Sequence, residues 1–488
     1  MLPYDVLCTV ASFSYRHELF ALMLASRDLQ LECAKCILQD TVALNSDKGI
    51  VSFIYFMRRN QRRRWCFLRS LEFGDTDLDP NVAAELGRVI SRASRLEVLS
   101  FEHAEVTLGA HPQLGLGLAA ISTIKHIELR RVAQHACRML EAMSWPLETV
   151  VLERSEYDQD WEDPDWGERT HPAALLKNSR ATLRSFKNDM WSGCDLRLPQ
   201  YPVYPALHAL HFVDAWLPPT SQWPLTYPNL RKLKVSSIDG GCPIDELTAT
   251  RLTNVVEYAE FGCWQELEHF SGGLLDLYAL GLPCRILNVD IGVSAGSVEA
   301  MEPALSNARP SRLTIRLWDS HMFEGDAPEL GFPSHLRIPG MAEVRIMKLE
   351  ITTAGPKRGL DLDPFLEQIY DALSPLELHE FILYVEYPDC NDWHRIIEPD
   401  TSDEDEGTAV RRRAPTPPTP CALQIWAETA DAPALASRAF SAVRSLRSFE
   451  LILHPPHSVE YRHPFGSTGW EDQRTRVLRD EPTPPTLT

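Results

Sequence analysis

The sequence predicts an α/β solenoid with a parallel sheet, preceded by a short helical module. Two observations carry this reading. A six-residue pattern (apolar, two residues, apolar, one residue, apolar) recurs along the chain, and between its copies the apolar spacing switches from strand-like to helix-like. Composition agrees: 488 residues with 44% hydrophobic and 24% charged side chains are ordinary globular material with enough apolar surface for a long core.

The strands come first in the argument. The pattern reads LRSLEF from Leu68, LEVLSF from Leu96, IKHIEL from Ile124 and LETVVL from Leu147. It continues as LRSFKN from Leu183, with polar Asn188 in its last position, then LHALHF from Leu207 and LRKLKV from Leu230, with a degraded copy, VVEYAE, from Val255. Its starts advance by 28, 28, 23, 36, 24, 23 and 25 residues. All but one of these steps fit a short repeat unit of about 20–29 residues, and the long step marks an insertion near 156–172. Later candidate strands are RILNVDI from Arg285, RLTIRL from Arg312, EVRIMKLEI from Glu343, EFILYVEY from Glu380 and LRSFELIL from Leu446.

The helices follow. DPNVAAELGRVISRAS places Val82, Leu86, Val89, Ile90 and Ala93 on one helical face, with Asp79 as N-cap and Pro80 as first helical residue. DPFLEQIYDALSP repeats that start with Asp363 and Pro364 and an apolar face of Leu366, Ile369, Tyr370 and Leu373. RVAQHACRMLEAM and DAPALASRAFSAV read as further helices. Strand, loop and helix repeated at short period bury a continuous core between neighbouring units.

These strands resemble those of leucine-rich repeats, LxxLxL. In that family an Asn or Cys usually stands eight residues after the first Leu; here the equivalent positions are Thr76, Ala104, Val132, Ser155, Trp191, Ala215, Ile238 and Cys263, so the repeats are degenerate. The N-terminus carries a second resemblance. Leu2-Pro3-Tyr4-Asp5-Val6-Leu7 is followed by Val10, then Leu19, Leu22 and Leu24, then Arg27-Asp28-Leu29. The order is similar to an F-box. That resemblance implies three short helices that dock on a Skp-type adaptor, itself bound to a cullin scaffold, with Leu2, Pro3, Val6, Leu7 and Val10 on the docking edge.

The expected organisation is therefore an F-box-like helical module over 1–45, a helical connector over 46–66, a degenerate leucine-rich-repeat solenoid over 67–454, and a disordered Pro-rich tail over 455–488. Residues 398–420, EPDTSDEDEGTAVRRRAPTPPTP, are charge-blocked and Pro-rich and read as a disordered loop. Ser402, Thr416, Thr419 and Thr483 are candidate phosphorylation sites.

Several function classes are argued against. A formal net charge of −20 disfavours a nucleic-acid binder, although RRNQRRRW from Arg58 is a local basic run. No apolar run approaches the roughly 18 residues a membrane span needs. The opening segment lacks a basic n-region and Asp5 interrupts it, unlike a signal peptide. Eleven scattered cysteines fit a reducing compartment, hence cytoplasm or nucleus.

Chemical motifs are sparse. Gly292-Val-Ser-Ala-Gly296 matches the G-x-S-x-G elbow of serine hydrolases with Ser294 as nucleophile, but no HGGG-type oxyanion segment accompanies it. Cys33-Ala-Lys-Cys36 is a lone CxxC without the second pair a zinc site needs. His208 and His211 would lie on opposite faces of a strand. No cofactor is expected, and the chain is expected to be a non-enzyme.

What remains is recognition. With the LxxLxL positions inward, the concave face would carry Glu72, Glu102, Glu128, Arg130 and Glu153 early, then Lys187, Asp189, His211, Lys232 and Lys234. Such a face, acidic and then basic, would hold a charged protein target. Trp161 and Trp166 in the insertion are candidate contact residues. The sequence thus points to a substrate-recognition adaptor of an SCF-type cullin ubiquitin ligase. The alternatives are a repeat scaffold unrelated to ubiquitin and a serine hydrolase using Ser294.

Overall fold

The computed structural model describes residues 4–27, 29–59, 64–154, 171–189, 202–213, 220, 222–236, 244–317, 332–352, 362–386, 422–454 and 473–479. The chain divides into two compact units, Met1–Asp239 with Glu260–Trp264, and Gly240–Ala259 with Gln265–Thr488. Both are mixed α/β with a mostly parallel sheet.

The first unit opens with three helices, α1 (Tyr4–Ser12), α2 (Arg16–Ala25) and α3 (Leu29–Gln39). They close around Ala11, Leu19, Met23, Leu29, Cys33, Ala34 and Ile37. The turn between α1 and α2 is fixed by Glu18, whose carboxylate accepts from the Tyr15 backbone N–H at 2.8 Å. The segment expected to be wholly helical to residue 45 instead ends in a strand, β1 (Thr41–Leu44), because Val42 and Leu44 alternate inward and pair with the next strand. The expected connector is α4 (Asp47–Arg58), capped by Ser46, whose hydroxyl accepts from Gly49 N.

The recurrent pattern then becomes β2 (Ser70–Phe73), β3 (Val98–Phe101), β4 (His126–Val132), β5 (Thr149–Arg154), β6 (Ser185–Asp189), β7 (Ala209–Val213) and β8 (Lys232–Ser236). Each strand from β1 to β8 pairs parallel with the next in sequence. Two buried rows run across them. One is Val42, Leu71, Leu99, Ile127, Val150, Phe186, Leu210 and Leu233; the other is Leu44, Phe73, Phe101, Leu129, Leu152, Asn188, Phe212 and Val235. Phe73 and Phe101 stack at 4.5 Å between ring centroids. The first Leu or Ile of each copy (68, 96, 124, 147, 183, 207, 230) lies just before its strand and is also buried. Each such burial contributes about 1.5–3 kcal/mol.

Between the strands lie the helices α5 (Pro80–Ile90), α6 (Ala104–Gly109), α7 (Pro112–Ala119), α8 (Gln134–Ala142), α9 (Pro172–Leu175) and α10 (Trp223–Thr226). Asp79 caps α5 as expected, accepting from Asn81 N and Val82 N, with Pro80 at the first position. The α5–α7 crossing needs glycine, since a Cβ at Gly117 would lie 2.1 Å from the Gly87 carbonyl oxygen.

The second unit begins with α11 (Ile244–Phe261) and carries β9 (Glu266–Gly273), α12 (Leu274–Leu280), β10 (Arg285–Val293), α13 (Met301–Ala308), β11 (Arg312–Leu317), β12 (Ile346–Thr352), α14 (Leu362–Leu373), β13 (Glu380–Glu386), α15 (Ala422–Thr429), α16 (Ala432–Ala442), β14 (Ser448–His454) and β15 (Gln473–Leu478). β9 to β14 pair parallel in sequence order, and β15 pairs antiparallel with β14. The strands read from Arg285, Arg312, Glu343, Glu380 and Leu446 are β10 to β14.

Three expectations are corrected here. VVEYAE is helical, inside α11, because polar side chains at helical spacing anchor it. Thr248 bonds the Tyr278 hydroxyl at 2.9 Å, Arg251 donates to the carbonyls of Tyr278 and Pro303, and Asn254 donates to Ala279 O at 3.0 Å. Cys263, the position that matched the repeat family's Asn or Cys, therefore follows a helix and not a strand. Asp363 lies inside the first turn of α14 rather than capping it, and its carboxylate pairs with Arg438 at 2.8 Å. The tail over 455–488 contains an ordered strand, β15, whose Arg474 and Arg476 pair with Glu450 and Glu380. The loop 398–420 lies outside the described residues. No helix among the described residues is long and apolar enough to cross a membrane.

Candidate functional site

Two surfaces of the first unit hold the residues singled out by sequence. The first is on α1. Leu7 and Ala11, four apart, turn into the three-helix core, so Leu7 packs inward rather than lying on an exposed edge. Val6 and Val10 point the other way, 39% and 46% exposed, flanked by Tyr4 at 52% and Phe13 at 84%. Val6 and Val10 follow the i, i+4 spacing of one helical side, and Phe13 continues that spacing in the turn just past α1. Phe20 and Leu24 of α2 are also exposed. Leu2 and Pro3 lie outside the described residues. An apolar stripe left to water costs free energy that a partner's apolar surface would recover, about 25 cal/mol per Å² covered.

The second surface is the face of the β1–β8 sheet opposite the helices. Strand register aligns Glu72, Ser100, Glu128, Val151, Lys187, His211 and Lys234 in one row. Glu153 and Asp189 are partners in the next row, and Lys232 lies in the row before, paired with Ala209. The alternation read from sequence thus brings these side chains onto one face.

Arg130 sits at the centre of the acidic half. Its guanidinium reaches Glu102 at 3.0 Å, Glu128 at 2.9 Å and Glu153 at 3.9 Å. The Glu153 carboxyl is held above the usual carboxylate range, by burial first and by the Asp189 charge second. Beside Arg130, Arg131 takes a left-handed φ of 53° at a bulge in β4 and reaches His103 Nδ1 at 3.2 Å, which in turn meets Asp75 at 2.9 Å.

In the basic half, Lys187 pairs with Asp189 at 3.3 Å. Lys232 and Lys234 are exposed and pair with no carboxylate among the described residues. His211, which the sequence places in the basic part of the face, is neutral at neutral pH, since burial, then Lys234 and Lys187, push its pKa down to about 4. His208 is exposed just ahead of β7.

The other motifs resolve locally. Ser294 has φ −114° and ψ 163°, ordinary extended backbone and not the strained turn of a nucleophile elbow. Its backbone N–H donates to the Ser297 hydroxyl at 2.9 Å. Cys33 is buried and Cys36 half-buried on α3, and burial raises both thiol pKa values, which disfavours the reactive thiolate. No group of three or more His, Cys, Asp or Glu able to hold a metal ion occurs among the described residues. In the basic run, Arg64 and Trp65 are buried, Arg64 lying 4.1 Å over the Phe56 ring, while Arg58 pairs with Glu85. Trp161 and Trp166 lie outside the described residues.

Sequence reasoning missed Phe13, Phe20 and Leu24 as exposed apolar groups, although extending the Val6–Val10 spacing by one turn reaches Phe13. It also placed Arg130 among the charges without seeing that three carboxylates share it. No family model matches the sequence, and no curated protein matches it.

Proposed function

We propose that this chain is a substrate-recognition adaptor of an SCF-type cullin ubiquitin ligase. In this reading the first three helices are an F-box that docks a Skp-type adaptor bound to a cullin scaffold. The strand–helix units are degenerate leucine-rich repeats whose open face holds a target protein. The chain works without chemistry of its own. It raises the local concentration of target beside the transferring enzyme, which acts in the cytoplasm or nucleus.

The observation that carries the reading is the exposed pair Val6 and Val10 on one side of a helix whose other side is buried in a three-helix core, with exposed Phe13 in the turn that follows. Such an apolar side is a helix face awaiting a groove or helical partner. Leu2 and Pro3 precede it in the order that F-box sequences share. Co-purification with a Skp-type adaptor tests the reading, comparing wild type with Val6→Asp/Val10→Asp. Both residues are exposed, so the variant keeps the core intact while placing two charges on the docking stripe.

A further inference from the structure

The proposed function leaves the chemistry of the target open, and the open sheet face of the first unit narrows it. Neighbouring strands lie about 4.8 Å apart, so the row from Glu72 on β2 to Lys234 on β8 spans six strand intervals, about 29 Å. An extended chain rising about 3.3 Å per residue crosses that distance in about nine residues.

Charge along the row is segregated. On the β2–β5 side Glu102, Glu128 and Glu153 share the single guanidinium of Arg130, and Glu72 adds a fourth carboxylate, an excess of three negative charges among these residues. On the β6–β8 side Lys187, Lys232 and Lys234 face only Asp189 among the described residues, which leaves an excess of two positive charges there. His211 lies between Lys187 and Lys234 in the same row and adds no charge. A uniformly anionic ligand such as a nucleic acid would be repelled by the first half, and a uniformly basic one by the second. Only a ligand whose own charge is blocked satisfies both.

We propose that this face binds one extended polypeptide segment of blocked charge. A run of Lys or Arg lies over Glu72, Glu102 and Glu128, and within about nine residues a run of Asp or Glu lies over Lys187 and Lys234. The inference rests on the target-holding half of the proposed function and is independent of adaptor docking by α1.

Fluorescence anisotropy with the full chain tests it, using labelled peptides of one composition: KKRKGSGSEDEE, its reverse EEDESGSGKRKK, and the mixed KEKGSDRGSEKE. At least one blocked peptide binds about tenfold or more tighter than the mixed peptide, and the difference shrinks as salt rises from about 20 to about 150 mM. Glu72→Lys and Lys234→Glu each weaken the blocked peptide about fivefold while leaving thermal unfolding unchanged, because both side chains are exposed. The inference is overturned if the mixed peptide binds within about twofold of the blocked ones, if neither blocked peptide binds, or if both charge reversals leave affinity unchanged. It is equally overturned if a peptide carrying only the acidic run binds as tightly. None of these outcomes bears on adaptor capture, which reads α1, so the two failures are distinguishable.

Discussion

Asn188 is the point where the first unit's core departs from its own pattern. Phe73, Phe101, Leu129, Leu152, Phe212 and Val235 fill the same buried row, and Asn188 sits between Leu152 and Phe212 in register. It is 0% exposed, and neither its side-chain nitrogen nor its oxygen has a hydrogen-bond partner among the described residues. A buried amide left unpaired costs about 1–3 kcal/mol. Leucine is close to asparagine in size, so Asn188→Leu replaces that cost with apolar burial and little overpacking. The variant should gain about 2 kcal/mol, a rise of about 4–8 °C in the Tm of a unit this large. Urea denaturation followed by tryptophan fluorescence reads the gain. Asn188→Ala removes the amide but leaves a cavity, and should come out near neutral. A loss of about 1 kcal/mol or more in Asn188→Leu would refute the reasoning, since it would mean the amide is bonded.

Two further outcomes test other parts of the account. Gly117→Ala puts a Cβ 2.1 Å from the Gly87 carbonyl oxygen, so α5 and α7 must separate; a loss of about 2–4 kcal/mol in urea midpoints is expected, and an unchanged midpoint contradicts the crossing. His171 caps α9 through Nδ1, and burial lowers its pKa to about 4. Its folded pKa lies below the unfolded value near 6.5, so the unfolded chain binds the proton first. Stability is full above about pH 6.5 and falls by up to about 3 kcal/mol as pH drops to about 4. His211 adds loss in the same window. His171→Asn keeps a capping acceptor that does not titrate, and should flatten the fall between about pH 7 and 5.5; an identical slope would contradict the assignment.

The strands were legible because a half-buried strand must alternate, and core positions such as Leu71, Phe73, Ile127 and Leu129 state that alternation directly. The α5 start was legible because Asp79 and Pro80 are a local signal that needs no tertiary partner. α11 was not. Its positions 248, 251 and 254 are held by hydrogen bonds to groups far along the chain, and polar anchors do not register in an apolar period. β15 was hidden because Arg474, Thr475 and Arg476 read as tail composition until β14 supplies their partners. The open face could be assigned from alternation alone. Its ion-pair economy could not, because Arg130 serves Glu102 just past β3 as well as Glu128 on β4 and Glu153 on β5.

The central claim is that α1 presents an apolar stripe to a Skp-type adaptor. The most direct measurement is quantitative co-purification of a Skp-type adaptor with the full chain, wild type against Val6→Asp/Val10→Asp, with thermal unfolding recorded for both. The account predicts capture by wild type, loss of capture by the variant, and the same Tm. An adaptor that fails to bind wild type, or that binds both chains equally, would contradict it.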